Sequence, residues 1–140
     1  MTKREKWIQE CRGWKDVRFR HQGRTRSGID CAGLLSVTAV ELGLIPYGGR
    51  PEYPKNPPAH LVFQALRSVA KRIQGKDAVG GDIVQLVYDE RPTHLGLLTF
   101  DGTVIHAYVS ARKVIEEKLT EDLRHRIVAY WRLRTLEDEK

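Results

Sequence analysis

The sequence predicts an α+β domain in which helices come first and an antiparallel sheet follows. In the first half of the chain, up to residue 74, apolar residues recur at helical spacing. From Gly80 onwards, β-branched and apolar runs of strand length are separated by turn residues. A chain of 140 residues is long enough for one domain with one core. We therefore predict a single domain over residues 1–140, without internal repeats.

Three helices are predicted before the sheet. An apolar face indicates a short helix over residues 4–13. The second helix follows Asp30, a good N-cap residue, and stops before Gly43, so that Cys31 lies in its first turn. Its apolar positions are too crowded for a single stripe, which indicates a largely buried helix. The third helix spans residues 59–74.

Two loops flank the second helix. Residues 16–27 are polar and basic and lead into this helix. Residues 44–58 form a long irregular loop, in which five of the six prolines of the chain lie between residues 46 and 58. A loop of this length in a small domain is often functional.

The second half of the chain predicts an antiparallel meander. An Asp-Gly pair at residues 101–102 is a strong hairpin signal between two of its strands. Residues 120–123 predict a turn or short helix, and residues 137–140 predict a frayed tail. The predicted strands span residues 82–88, 94–100, 103–109, 113–115 and 126–133.

Cys31 is the candidate nucleophile. At a helix N-terminus, free backbone N–H groups and the helix dipole favour a thiolate, so we expect a depressed pKa for Cys31 and faster alkylation than for Cys11. The alternative is a buried helix that happens to begin with a cysteine. We expect Cys11 to be a packing residue, and two cysteines make neither a disulfide framework nor a zinc site.

A thiolate nucleophile needs a base, and the candidates are His94 and His106, on either side of the hairpin. A two-residue turn would place these histidines on opposite faces of the sheet. The alternative is a three-residue loop over residues 100–102, with Gly102 in the left-handed conformation. In that register, Gly96 pairs with His106. The histidines then share a face, about 7–8 Å apart at the backbone. The catalytic interpretation requires this second form; otherwise they are two unrelated sheet histidines.

The chain resembles NlpC/P60 cysteine peptidases, in their small phage-tail-associated form, through four short motifs in the family's order. The nucleophile motif Asp-Cys-Ser/Ala-Gly-Leu is found at residues 30–34, and the Gly-Asp motif that opens the first sheet strand is found at residues 81–84. The His-Val-Gly-Ile strand of the family corresponds to His-Leu-Gly-Leu at residues 94–97, and its Ile-His-Ala strand corresponds to residues 105–107. The resemblance covers about residues 7–134. It implies a papain-like fold, with the Cys-bearing helix packed on an antiparallel sheet.

The resemblance also implies an activity, the hydrolysis of amide bonds in peptidoglycan stem peptides by a Cys-His-His triad. The bonds are typically next to D-glutamate and diaminopimelate. Cys31 would attack the carbonyl, His94 would accept the thiol proton and later protonate the leaving amine, and His106 would hold His94. The backbone N–H of Cys31 is a natural oxyanion donor. No metal or organic cofactor is needed.

The chain departs from the family at Phe19, where a tyrosine often supplies a hydroxyl twelve residues before the cysteine. His21 or Gln22 could supply the second oxyanion donor instead. Stem peptides carry carboxylates, which makes Arg24 and Arg26 plausible contacts. The predicted substrate-binding residues are therefore Asp30, His21, Gln22, Arg24 and Arg26.

Net charge and hydropathy limit the partners and the location. The formal charge of +6 favours anionic partners. The arginines of loop 16–27 do not indicate specific nucleic-acid binding, because no recognition motif and no aromatic stacking platform accompanies them. No apolar run approaches the roughly 20 residues of a membrane helix, and no apolar region of a secretory signal follows the charged N-terminus. We expect neither specific nucleic-acid binding nor membrane association, and synthesis in the cytoplasm.

The substrate implied by the resemblance lies outside the cytoplasmic membrane. We therefore expect a component of a phage or prophage tail, with tail proteins as partners and peptidoglycan as substrate. Two alternatives remain open: another thiol hydrolase or acyl-transfer enzyme on the same fold, acting on a lipid or protein amide, and a non-catalytic tail assembly module.

Overall fold

The computed structural model describes residues 1–49 and 52–137, which fold into four α-helices and eight strands. The prediction of an α+β fold is confirmed. In chain order the elements are α1 (Lys3–Arg12), β1 (Arg24–Thr25), β2 (Gly28–Ile29), α2 (Cys31–Glu41), α3 (Ala59–Val69), β3 (Ala70–Ile73), β4 (Ile83–Tyr88), β5 (Arg91–Leu98), β6 (Thr103–Tyr108), β7 (Lys113–Lys118), α4 (Glu121–Arg126) and β8 (Ile127–Leu133).

The main sheet has six strands in the order β3-β8-β4-β5-β6-β7, and every neighbouring pair is antiparallel. Helix α2 packs against β5 and β6, so the Cys-bearing helix lies on the sheet. Leu34 of α2, Leu97 and Ile105 belong to the core on that side. Val84 and Val104 face the other side, where Leu123 of α4 packs against them.

Helix α1 holds α2 through a buried polar contact. The indole N–H of Trp7 donates to Thr38 Oγ1 at 2.8 Å, and Cys11 Sγ lies 3.4 Å from the same oxygen. The Thr38 hydroxyl in turn donates to the carbonyl of Leu34, one turn earlier in α2. Cys11 is completely buried here, as the packing interpretation predicted.

A buried carboxylate ties α1 to the sheet just before β4. Asp82 accepts hydrogen bonds from Arg4 Nη1 at 2.8 Å and from Arg132 Nε and Nη2 at 3.0 and 2.9 Å, and its second oxygen also accepts the Val79 N–H. Asp82 and Arg4 are both inaccessible to solvent. The Gly-Asp motif therefore has a structural role, since it joins two distant arginines.

The hairpin between β5 and β6 has the three-residue loop. Leu97 pairs with Ile105 and Leu98 with Val104, which is the register of that alternative. Gly102 has φ +72°, in the left-handed region that glycine adopts without strain. The condition that brings His94 and His106 to one face of the sheet is met.

Several predicted boundaries are wrong. The third helix ends at Val69, because residues 70–73 pair with β8 as an edge strand. The basic loop contains the short β1–β2 hairpin, and β7 continues to Lys118. The Pro-rich loop contains no helix or strand where it is described, and residues 50–51 and 138–140 lie outside the described residues. No helix in the described part of the chain is long and apolar enough to span a bilayer.

Candidate active site

A cavity of about 890 Å³ opens beside the first residue of α2. Cys31 and His94 both line this cavity, together with Tyr108 from β6. The helix α3 and the described part of the Pro-rich loop close its other side. Three elements that are distant in the chain therefore meet at one concave site, which is where small domains usually bind their ligands.

The local sequence starts α2 at Cys31. The Asp30 side chain accepts the Gly33 N–H at 2.8 Å, so Asp30 is the N-cap, as predicted. The thiolate form of Cys31 would accept hydrogen bonds from the backbone of Ala32 and of Leu95, the residue after His94. Within the described residues, the structure has no hydrogen bond between Cys31 and His94 themselves.

The expected depressed pKa of Cys31 is wrong. Burial raises the pKa of the Cys31 thiol to about 11, and the negative charge of Asp30 contributes to the increase. The backbone hydrogen bonds and the charge of Arg24 act in the opposite direction but do not outweigh burial. The resting side chain is therefore a thiol, because burial disfavours the thiolate and the N-cap that starts the helix also places a carboxylate beside the sulfur.

The two histidines form a hydrogen-bonded chain that continues to a carboxylate. His94 Nε2 lies 2.6 Å from His106 Nδ1, and His106 Nε2 lies 2.6 Å from Glu117 Oε2. The His106 side chain is completely buried, whereas Glu117 is 38% exposed. His94 thus lies between the cavity that holds Cys31 and the buried His106.

Both imidazoles are neutral at neutral pH. Burial, together with the neighbouring His106, lowers the pKa of His94 to about 3. Burial also lowers the pKa of His106, although Glu117 raises it in part. The ring of Tyr108 stacks on His106 with 5.1 Å between centroids, and Tyr88 meets His94 edge-on at 5.3 Å. These rings pack against both imidazoles and hold them in place.

Asp30 is the centre of a second polar cluster. It accepts hydrogen bonds from the backbone N–H of Gln22 at 2.9 Å, from Arg24 Nη1 at 3.0 Å and from the hydroxyl of Tyr53. Arg24 also donates to the Tyr53 hydroxyl at 3.0 Å. With these partners and the helix cap, Asp30 orients the start of α2 and the Pro-rich loop, and its role in substrate binding stays a prediction.

The side chains predicted as oxyanion donors bind the Pro-rich loop. His21 Nε2 lies 3.2 Å from the carbonyl oxygen of Tyr53, and the Gln22 amide donates to the same oxygen at 2.6 Å. His21 and Arg24 line the cavity, but the charge of Arg24 is already paired with Asp30. Phe19, which replaces the family tyrosine, also lies in the cavity wall.

Arg26 is separate from this site. Its guanidinium lies 3.9 Å above the Trp14 ring and donates to the carbonyl of Gly13 at 2.7 Å. Arg26 does not line the cavity, because its side chain turns towards the end of α1, and its contact with substrate stays a prediction. A spacing of two residues in a hairpin does not ensure that two side chains reach the same site.

The sequence analysis missed Tyr53, Glu117 and Arg126. Arg126, at the end of α4, lines the cavity and lies 4.5 Å above the Tyr88 ring. Glu117 had a detectable signal: extending β7 by alternation would have placed it diagonally across from His106. Tyr53 had none beyond its position in a long loop. Among the described residues, no group of three or more His, Cys, Asp or Glu side chains could hold a metal ion.

The fold and the site together define a class of protein: an α+β domain with a cysteine at a helix start beside a histidine pair on an antiparallel sheet. The family model for the NlpC/P60 family matches residues 16–132. The chain therefore belongs to the NlpC/P60 family. A comparison with curated proteins finds no match.

Solved structures of this family have the same fold. An NLP/P60 family protein from Staphylococcus aureus, described as similar to lipoprotein, is 15% identical with a TM-score of 0.67, over 93% of this chain and 41% of that protein. The peptidoglycan hydrolase RipB of Mycobacterium tuberculosis is 18% identical with a TM-score of 0.66, over 96% of this chain and 65% of that one. This chain thus spans less than two thirds of either protein.

A third similar structure is RipD of Mycobacterium tuberculosis, a non-catalytic NlpC/p60 domain protein adapted to peptidoglycan binding. It is 14% identical with a TM-score of 0.63, over 96% of this chain and 98% of that one. The fold therefore occurs with and without catalysis, and the site residues must carry any argument about activity.

Proposed function

We propose that this protein is a cysteine peptidase that hydrolyses amide bonds in bacterial peptidoglycan stem peptides. The observation that carries the proposal is the shared cavity of Cys31 and His94, with His94 hydrogen-bonded to the buried His106. A nucleophile, a base and a group that orients the base are the parts that covalent amide hydrolysis needs. Family membership and the peptidoglycan hydrolase RipB supply the substrate class.

The proposed reaction starts from a neutral pair. As Cys31 Sγ attacks the carbonyl carbon, its proton moves to His94, and the C–N bond then breaks while His94 protonates the leaving amine. Water hydrolyses the resulting thioester, with His94 again as the base. The backbone N–H of Cys31 at the start of α2 stabilises the developing oxyanion.

The second oxyanion donor is not Tyr53 in the conformation described. The Tyr53 hydroxyl donates to Asp30 and accepts from Arg24, so its proton is already committed. His21 lies in the cavity wall, but the proton on its Nε2 is committed to the carbonyl of Tyr53 in the same way. An oxyanion held by fewer donors is stabilised less, so we expect a modest rate with substrate.

One observation favours a different substrate for the same chemistry. The wall of the cavity that α3 supplies is apolar and includes Leu61, Val62 and Leu66. An apolar wall suits an acyl chain better than a charged stem peptide. A thiol hydrolase or acyl-transfer enzyme acting on a lipid or protein amide is therefore the second candidate.

Digestion of purified peptidoglycan tests the two candidates. We expect the protein to release peptide fragments whose masses identify the cleaved amide bond, and we expect Cys31→Ala to release none. Cys11→Ala is the matched control, since Cys11 is buried away from the cavity. Release of the same fragments by Cys31→Ala would refute the proposal. Cleavage of acyl amides instead, with intact sacculi left undigested, would favour the second candidate.

We also propose that the protein acts on the wall as part of a phage or prophage tail, with tail proteins as its partners. The support is the resemblance of its motifs to the small tail-associated form. If the tail delivers the domain to the cell wall, the affinity of the domain itself for peptidoglycan should be weak. It should also be electrostatic, because the net charge is +6. Cosedimentation of Cys31→Ala with sacculi should then occur at low salt and disappear at high salt. Binding that persists at high salt would contradict this proposal.

A further inference from the structure

Glu117 ends a hydrogen-bonded chain that starts in the cavity. The chain runs from His94 Nε2 to His106 Nδ1 and from His106 Nε2 to Glu117 Oε2, with 2.6 Å at both contacts. Glu117 lies on β7, where it pairs with Val104, two residues from His106 on the neighbouring strand β6. The antiparallel register therefore brings its carboxylate diagonally to the imidazole.

We propose that Glu117 is a positioning residue that determines which nitrogen of His94 acts as the base. An ionised carboxylate only accepts hydrogen bonds, so His106 must carry its proton on Nε2. A neutral His106 then has a lone pair on Nδ1, which accepts the Nε2–H of His94. The lone pair of a neutral His94 is left on Nδ1, the ring nitrogen not bound to His106.

The surroundings of the chain support this direction of the hydrogen bonds. Burial lowers the pKa of both histidines, so both are neutral and each carries one ring proton. The ring of Tyr108 stacks on His106 at 17° between planes and prevents a rotation that would exchange its nitrogens. Within the described residues, Glu117 has no salt bridge to a lysine or arginine, so no cation competes with His106 for its carboxylate.

The adjacent glutamate has a different task, which makes the assignment specific. Glu116 accepts from Arg12 Nε and Nη2 at 3.0 and 2.9 Å and from the Thr103 hydroxyl at 2.6 Å. Its side chain is therefore used to hold α1 and the hairpin. The alternation along β7 sends Glu116 to those partners and Glu117 to the histidines.

The inference deepens the proposed function but is tested without substrate, by NMR spectra of the ring nitrogens of His94 and His106 at neutral pH. We expect both wild-type rings to be protonated on Nε2 alone. Glu117→Leu removes the acceptor, and we expect both rings to become mixtures of the two tautomers. Glu117→Gln keeps an oxygen that accepts from His106 Nε2–H, and we expect it to restore most of the wild-type spectrum.

Kinetics on the peptidoglycan substrate provide a second readout. A base with mixed tautomers loses part of the roughly 10²- to 10⁴-fold that general-base catalysis supplies, so kcat should fall at least about tenfold in Glu117→Leu. KM should change little, and Glu117→Gln should recover most of kcat. Glu121→Gln, an exposed change on α4, is the control and should match the wild type.

A wild-type His94 protonated on Nδ1 would overturn the inference, and this result needs no variant to fold. Unchanged spectra and an unchanged kcat in a folded Glu117→Leu would overturn it as well. A wild-type protein with the expected tautomers but no activity on peptidoglycan would refute the proposed function and leave the inference standing.

Discussion

The two cysteines differ in their access to the cavity, although burial raises the pKa of both thiols. Cys11 has no exposed surface, and its thiol pKa is raised to about 12. Cys31 is partly accessible and lines the cavity, and its pKa is raised to about 11. The proposed reaction at neutral pH therefore needs proton transfer to His94 during the attack, because burial disfavours a preformed thiolate.

We predict slow alkylation of Cys31 by iodoacetamide at neutral pH. Because the thiolate fraction of a group with a pKa near 11 grows about tenfold per pH unit, the rate should rise steadily from neutral to about pH 10 without a plateau. Mass spectrometry of the labelled peptides measures both cysteines, and Cys11 should stay unlabelled until the protein unfolds. A plateau with a midpoint below neutral pH would mean that the thiolate is preformed.

Arg126 is a cavity-lining guanidinium that pairs with no carboxylate among the described residues. It donates to the carbonyl of Val87 at 3.2 Å and stacks on Tyr88, which leaves donors for a ligand. Stem peptides carry carboxylates, and a hydrogen bond to a charged group contributes about 1.5–3 kcal/mol. We therefore propose Arg126 as a further contact for a substrate carboxylate, beside the predicted Arg24 and Arg26.

We predict that Arg126→Gln raises KM for a soluble stem peptide about 10- to 100-fold and changes kcat little, since the lost contact binds ground state and transition state alike. Steady-state kinetics measure both constants. Arg124→Gln, on the exposed side of the same helix, is the matched control and should behave as the wild type. An equal KM for the two variants would mean that Arg126 does not bind the substrate.

At the scale of elements, Asp82 joins α1, the start of β4 and β8. The two arginines that it binds are 128 positions apart in the chain, at Arg4 and Arg132. The carboxylate is completely buried, and both of its oxygens accept hydrogen bonds. Removal of its charge would take this ion-pair partner from the buried Arg4. The contact holds the N-terminal helix in the position from which Trp7 and Cys11 contact α2.

We predict that Asp82→Asn lowers the free energy of unfolding by about 3–5 kcal/mol, the usual cost of removing one partner from a buried ion pair. Urea unfolding followed by circular dichroism measures the change. Asp101→Asn is the matched control: Asp101 pairs with Arg12, but its side chain is 68% exposed, so the cost should be below about 1 kcal/mol. Similar losses in the two variants would contradict the structural role of Asp82.

At the scale of the whole molecule, the neutral histidine pair links stability to pH. The folded state binds protons at His94 and His106 less readily than the unfolded chain, in which the pKa is near 6.5. Protonation therefore favours unfolding. The stability from the neutral pair is complete above about pH 6.5 and is lost as the pH falls from there towards the folded-state pKa of His94, about 3.

We predict a loss of up to about 1.4 kcal/mol per pH unit for each of the two histidines below about pH 6.5. The measurement is the free energy of unfolding from urea titrations between about pH 7 and about pH 5. The double variant His94→Gln/His106→Gln has a different absolute stability, so only the slopes are compared, and its slope should be smaller. Equal slopes in the two proteins would mean that these histidines titrate alike in both states.

The family, the α+β fold and the start of α2 could be predicted because their signals are local. Asp30 caps the helix through a backbone N–H three residues away, and the Asp-Gly turn limits the hairpin to two alternatives. Each of these choices involves neighbours in the chain. The assignment of Cys31, His94 and His106 to catalysis stays a prediction.

Only the tertiary structure decided the protonation of Cys31, the partners of Tyr53 and the end of the third helix. The pKa of Cys31 depends on how completely α2, α3 and β5 enclose it, and the strand β3 exists because β8, about 60 residues later, pairs with it. Burial and strand pairing are sums over residues that are distant in the sequence. A local pattern can therefore place a reactive group at a helix start, but only the packed fold determines the state of its proton.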